Sequence, residues 1–276
     1  MSAIQSFKQI TFGILHDTLN RFRYGIAAPG KNQIVWVDPQ AIGTQIDSFD
    51  EGFQRAILGK AFAHIPPHIS AGNRAHQARM ALHRAPGMVL WSDFDRHVVP
   101  FSEHGTFRMM CRMFDQGLDW EAAGFYDRMM KRTRKGPGKL PSTRDDVVAR
   151  YARLDPLVER MRAGGCFDPP PGGLARYRGV DGVMVAVGRG GELIFAHSGA
   201  HRLSLAKCFG LPRIPVNVCA VHGEALRSGA WKRLLLASRR EPGSPRGADG
   251  PADDASREAS SRDMTALLPT RVPSRM

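Results

Sequence analysis

The sequence predicts an α+β protein, with a small mixed β-sheet, a largely helical insertion and a disordered C-terminal tail. Residues 183–222 read as strand, turn, strand, glycine turn, short helix and strand. Between about 90 and 165 apolar residues recur at helical spacing. From 239 onward Pro, Gly, Ser and charge take over, too little apolar surface to offset the entropy of ordering.

In order along the chain, Ile4, Phe7, Ile14, Leu15, Leu19 and Phe22 line one helical face, closed by Gly25 and Pro29-Gly30. Ile34–Val37 is a short buried strand stopped by Asp38-Pro39. Residues 43–90 carry no readable pattern; His64 and His68 fall there in a proline-rich loop. Asp119 caps a helix from Trp120 to about Lys135, ending in the basic run Arg128, Lys131, Arg132, Arg134, Lys135 and, past the stop, Lys139. That run reads first as a solvated helix end, and Trp120, Phe125 and Tyr126 as core.

Thr143–Asp146 forms a capping box. The apolar period through Val147, Tyr151, Leu154, Val158 and Met161 continues past Pro156, so the helix kinks there or restarts at Asp155. Val183–Val187 and Glu192–Ala196 pair as a hairpin around Gly188–Gly191. A helix over Leu203–Phe209, a strand over Ile214–Cys219 and a terminal helix from Leu226 to Leu236 follow. The expected division is an N-terminal helical segment (1–33), a sheet domain (34–238) carrying the insertion, and the tail (239–276).

Of the 276 residues 42% are hydrophobic and 24% charged, ordinary for a folded chain. No run of 18 apolar residues is present, so no membrane span is expected, and Ile10–Leu15 is too short for a secretory leader. Cys111, Cys166, Cys208 and Cys219 lack CxxC spacing, so neither a disulfide framework nor a zinc site is signalled, and no haem motif occurs. A cytoplasmic compartment is the expectation. Net charge is +13; residues 239–276 carry seven Arg and six acids, leaving +12 on the part expected to fold. That field favours polyanions: nucleic acid, nucleotides, phosphorylated sugars or an anionic membrane face.

The strongest site candidate is the turn Ser198-Gly199-Ala200-His201-Arg202. A glycine between strand and helix lets the first helical N–H groups face outward, where the helix dipole favours an anion. Arg202 adds a forked cation and His201 a titratable donor. An ordinary strand-to-helix turn with a solvated arginine is the competing reading. His197 and His201 are four apart, but Ser198-Gly199 interrupts any helix there and no further ligand completes a metal shell.

The run GRGGELIFAHSGAHRLSLAKCFGLPRIPVNV (188–218) resembles the core of the ParB/sulfiredoxin superfamily, in which a G-x-[HR]-R turn precedes a helix and an Ile-Pro-Val-like strand. Ile34–Val37 with Asp38-Pro39 is similar to the first strand of such domains. With PFSEHGTFRMMCRMFDQGLDWEAAGFYDRMM (100–130) and the 145–161 helix, the chain resembles an uncharacterised ParB-like family labelled "ParB-like nuclease domain", found near surface-polysaccharide genes. The resemblance covers about 100–222, the first hundred residues weakly and the tail not at all.

The resemblance implies phosphate binding by Gly199, Ala200, His201 and Arg202. Arg189 and His222 match recurring positions of the pattern, either flanking the turn or as a hairpin arginine and a strand-end histidine on the surface. The expected ligand is a nucleotide or other phosphorylated molecule, with Mg²⁺ if the protein is an enzyme. Ala200 replaces the catalytic cysteine of sulfiredoxin, no helix-turn-helix follows the core, and the glutamate base of related free-serine kinases has no counterpart. Asp38 and Glu103 are the candidate acids by context alone. The expected function is binding of a nucleotide or other phosphorylated ligand, extending to hydrolysis or phosphoryl transfer if a base is supplied. The alternatives are a non-catalytic nucleic-acid binder and an adaptor in surface-polysaccharide biosynthesis.

Overall fold

Every second residue of Val183–Val187 faces one core and the others face another, which makes this strand the centre of the molecule. Val183, Val185 and Val187 join one apolar cluster, while Met184 and Ala186 join a second. Alternation buried on both sides gives an unbroken hydrophobic run, as the sequence has. The computed structural model describes residues 3–58, 77–78, 87–133, 143–165, 167–168, 182–196 and 198–239. Residues 1–242 form one unit and 243–276 another. The expected tail beyond Arg239, which ends the last helix, and His64, His68, His197, Arg134, Lys135 and Lys139 lie outside the described residues.

The strands are β1 (Gln33–Val37), β2 (Thr44–Ile46), β3 (Met88–Leu90), β4 (Val98–Pro100), β5 (Val183–Val187), β6 (Leu193–Phe195) and β7 (Ile214–His222). They form one mixed sheet in the order β1-β7-β5-β6-β2-β4. Strands β5 and β7 are parallel, and β5 and β6 are the expected antiparallel hairpin, Val185 opposite Phe195. One edge of the nine-residue β7 is shared end to end. Its first half pairs antiparallel with β1, Gln33 opposite Val218, and its second half parallel with β3, Leu90 opposite His222. The outer edge at Trp36 is covered, its N–H donating to Ser238 Oγ and its C=O accepting from Arg213.

The helices are α1 (Ala3–Tyr24), α2 (Glu51–Leu58), α3 (Gly105–Asp115), α4 (Phe125–Thr133), α5 (Arg144–Ala152), α6 (Asp155–Arg162), α7 (Ala200–Cys208), α8 (Gly223–Arg227) and α9 (Ala230–Arg239). The capping box at Thr143 and Asp146 is formed. The period through Pro156 is two helices, α6 opening with proline in its first turn. Three expectations shift. The helix expected from Trp120 begins at Phe125, because Gly124 is left-handed at φ 87° and breaks the first turn. The terminal helix divides at Gly229, φ 74°, into α8 and α9. The insertion includes β4, a strand of the sheet, before its helices begin at Gly105.

Helix α7 joins the sheet to the insertion. Its Leu203 and Ala206 belong to the core on one face of the sheet, and its Leu205 to the insertion's own cluster of Met110, Met113, Trp120, Phe125, Val147 and Tyr151. Trp120 and Phe125 are buried, as their apolar spacing suggested.

Candidate functional site

The glycine turn sits where β6 hands over to α7. Gly199 is the residue before α7, at φ 80°, and no side chain caps the helix there. A Cβ at this position would stand 2.5 Å from the Gly182 carbonyl oxygen and 2.6 Å from Val183 Cα. Glycine is therefore required both by the backbone angle and by the close approach of the chain to β5. Met184 N–H donates to Ser198 C=O at 3.1 Å, fixing the turn against the strand.

His201 turns into the insertion, its ring 5.8 Å from Phe125 and 5.6 Å from Tyr151. Ala200 packs on the main core and Arg202 is half-buried. Of the four turn residues, two are thus committed to packing.

Arg189 and His222 do not flank this turn. They lie at the far end of β5, where the parallel strands β3, β5 and β7 terminate. Arg189 grips Asp95 with Nε and Nη2, both at 2.8 Å, and with its backbone N–H at 2.9 Å; Nη2 also reaches Asp93 at 2.5 Å. Burial acts to raise the Asp95 carboxyl, but the hydrogen bonds from Arg189 outweigh it and hold the carboxyl below its ordinary value. The hydrogen bonds it donates to Asp95 and then to Asp93 raise the Arg189 guanidinium in turn.

His222 is buried against Trp91 and Phe94, and its Nδ1 accepts from Glu224 N–H, capping α8. Its Nε2 is buried with no hydrogen-bond partner among the described residues. With Nδ1 as an acceptor, the neutral ring carries its proton on Nε2.

Of the two candidate acids, Asp38 lies away from the turn. Asp38 accepts from Gln40 N–H at 2.7 Å and acts electrostatically on Lys207, near the carboxyl end of α7. Burial lowers the Lys207 ammonium, with Asp38 opposing the shift. Glu103 is exposed just before α3. Among the described residues no group of three or more His, Cys, Asp or Glu side chains could hold a metal ion. Asp38 thus lies by the carboxyl end of α7, at the other end of that helix from the turn.

Thiol chemistry fares no better. Cys208 faces Cys111, Sγ to Sγ 3.6 Å, and burial pushes its thiol up to about 12. Cys219 is fully buried in β7, donates to the Val185 C=O at 3.2 Å and is also pushed up to about 12 by burial. A thiol so raised is a poor nucleophile near neutral pH.

Sequence reasoning did not find the cleft between α3 and α4. It is a shallow cleft of about 470 Å³, open to solvent, lined by Met109 and Arg112 from α3 and by Ala123, Gly124, Asp127, Arg128 and Lys131 from the α4 side. Three cations thus face one carboxylate. Arg112 is oriented by a 2.6 Å hydrogen bond to the Ala123 C=O, and Arg128 lies over Gly105, where a Cβ would collide with the guanidinium. The signal was present in the sequence. Residues 127, 128 and 131 share one face of α4, next to Gly124, while Phe125 and Met129 face inward.

No family model, curated protein or solved structure matches the chain.

Proposed function

We propose that this protein binds a nucleotide or another phosphorylated small molecule in a domain of ParB/sulfiredoxin type. The observation that carries the reading is the α3–α4 cleft, a solvent-open groove in which Arg112, Arg128 and Lys131 outnumber Asp127. Arginine guanidinium groups donate in a fixed fork that matches phosphate oxygens, and a lysine adds a point charge. The site is joined to the glycine turn through α4, whose inward Phe125 packs on His201. The ParB/sulfiredoxin part rests on the GAHR turn, on its glycine at left-handed φ, and on the Ile-Pro-Val strand beside β5 in a mixed sheet. Binding is the extent of the reading.

A thermal-shift panel of CTP, ATP, GTP and sugar nucleotides, with and without Mg²⁺, tests it on wild type, R128Q/K131Q and Arg202→Ala. A ligand at one hundred times its dissociation constant adds about 2.7 kcal/mol of stability. The expected result is stabilisation of wild type that R128Q/K131Q abolishes. Loss in Arg202→Ala but not in the cleft variant moves the phosphate to the turn. Silence from every ligand, or steeply salt-dependent duplex DNA binding indifferent to both variants, overturns the reading.

A further inference from the structure

Helix α1 is folded with its polar side inward. Gly13 and Asp17 are buried and Asn20 half-buried. Asp17 Oδ1 accepts from Lys31 N–H at 2.6 Å, and Asn20 Nδ2 donates to the carbonyls of Pro29 and Gly87 at 2.8 and 2.9 Å. These bonds tie the helix to the loop before β1 and to the residue before β3.

The opposite side is apolar and bare. Phe12, Leu15, Leu19, Phe22 and, just past the helix, Ile26 follow one another at steps of three and four, with Phe7 and Ile14 beside them. Phe22 is 93% and Ile26 95% exposed, and Phe7, Phe12, Leu15 and Leu19 each exceed half. Isolated exposed apolar residues need no explanation, but a contiguous stripe along a 22-residue helix marks an interaction surface.

Charge selects the occupant. The exposed charges of α1 are Lys8, Arg21 and Arg23, and its sole acid, Asp17, is 6% exposed and already engaged. A second copy laid along the stripe would bring cation against cation, without the opposite charges that specify paired helices. No helix among the described residues is long and apolar enough to cross a membrane. An apolar stripe flanked only by cations, on a chain of net charge +13, matches an anionic lipid surface, with aromatic and leucine side chains entering the headgroup boundary.

We propose that α1 is a membrane-surface anchor, seating the protein on anionic bilayers through Phe12, Leu15, Leu19, Phe22 and Ile26, with Lys8, Arg21 and Arg23 contacting lipid phosphates. The attachment is peripheral and independent of the α3–α4 cleft.

Co-sedimentation of the full chain with vesicles tests it, using phosphatidylcholine alone and phosphatidylcholine with 30% phosphatidylglycerol, about 0.3 of the lipid as anion. The variants are L19S/F22S and R21Q/R23Q; all four positions are exposed, and circular dichroism confirms the fold. Wild type is expected to bind anionic vesicles at least about tenfold more tightly than neutral ones, and 0.5 M salt to weaken it. L19S/F22S loses binding, and each charge removed in R21Q/R23Q costs about fivefold in partition. Equal partition on both vesicle types, or unchanged binding by L19S/F22S, overturns the proposal. So does a concentration-dependent dimer in sedimentation equilibrium that L19S/F22S dissolves while vesicles remain unbound, since a second copy then covers the face.

Discussion

Gly199 meets two demands that no other residue satisfies together, a left-handed backbone angle and a van der Waals approach to the start of β5. The left-handed conformation alone costs an L-residue about 1–2 kcal/mol, and the overlap with the Gly182 carbonyl adds to it. Gly199→Ala is therefore expected to lower unfolding free energy by at least about 2 kcal/mol in urea titrations. An unchanged midpoint would mean that the turn shifts freely. His201 teaches a related point. As a sequence residue it stands beside Arg202 as a phosphate donor, yet Phe125 and Tyr151, distant in sequence, draw its ring into the insertion. A residue's neighbours along the chain define its chemistry, whereas its neighbours in space decide its use.

Among elements, the informative tie joins the segment after β3 to the β5–β6 hairpin through Asp95 and Arg189. The Asp95 side chain is 1% exposed, so removing its charge strands a guanidinium donor set; Asp95→Asn is expected to cost about 1–3 kcal/mol near neutral pH. Because folding depresses the Asp95 pKa, the stability it contributes is present above the unfolded aspartate value of about 3.9 and is lost as pH falls through the lower folded value. Denaturation at pH 6 and pH 3 should show wild type losing more than D95N over that interval. An equal loss would assign the acid sensitivity elsewhere.

The elements also explain what was readable. The hairpin, the capping box, β1 and the Ile-Pro-Val strand are written in local patterns, each within fifteen residues. Strands β2, β3 and β4 have three residues each and no periodicity to read. Helix α1 was legible as a helix, but its orientation was not, because its stripe faces outward while Asp17 and Asn20 find partners at residues 29, 31 and 87. The Asp95–Arg189 pair spans 94 residues of sequence, and only the parallel pairing of β3, β5 and β7 brings its segments together.

At the scale of the whole molecule, a net charge of +13 is a field, and fields are screened. The Debye length shortens from about 10 Å at 0.1 M salt to about 3 Å at 1 M. A ligand held by Arg112, Arg128 and Lys131 should therefore weaken with added salt, a nucleoside triphosphate more steeply than its monophosphate. Titration calorimetry across that range measures the slope, and equal slopes for the two would count against phosphate as the recognised group. The cleft and the α1 stripe occupy separate elements, so one could fail its test and leave the other standing.

The shared edge of β7 bears on how the chain is made. Its first half waits for residues 33–37 and its second for residues 88–90, both synthesised more than a hundred residues earlier. Until position 222 has left the ribosome, β1 and β3 have no ladder to join. Closing loops of that length is slow, and the early segments must remain uncommitted meanwhile. The nascent protein thus spends most of its synthesis with an open sheet.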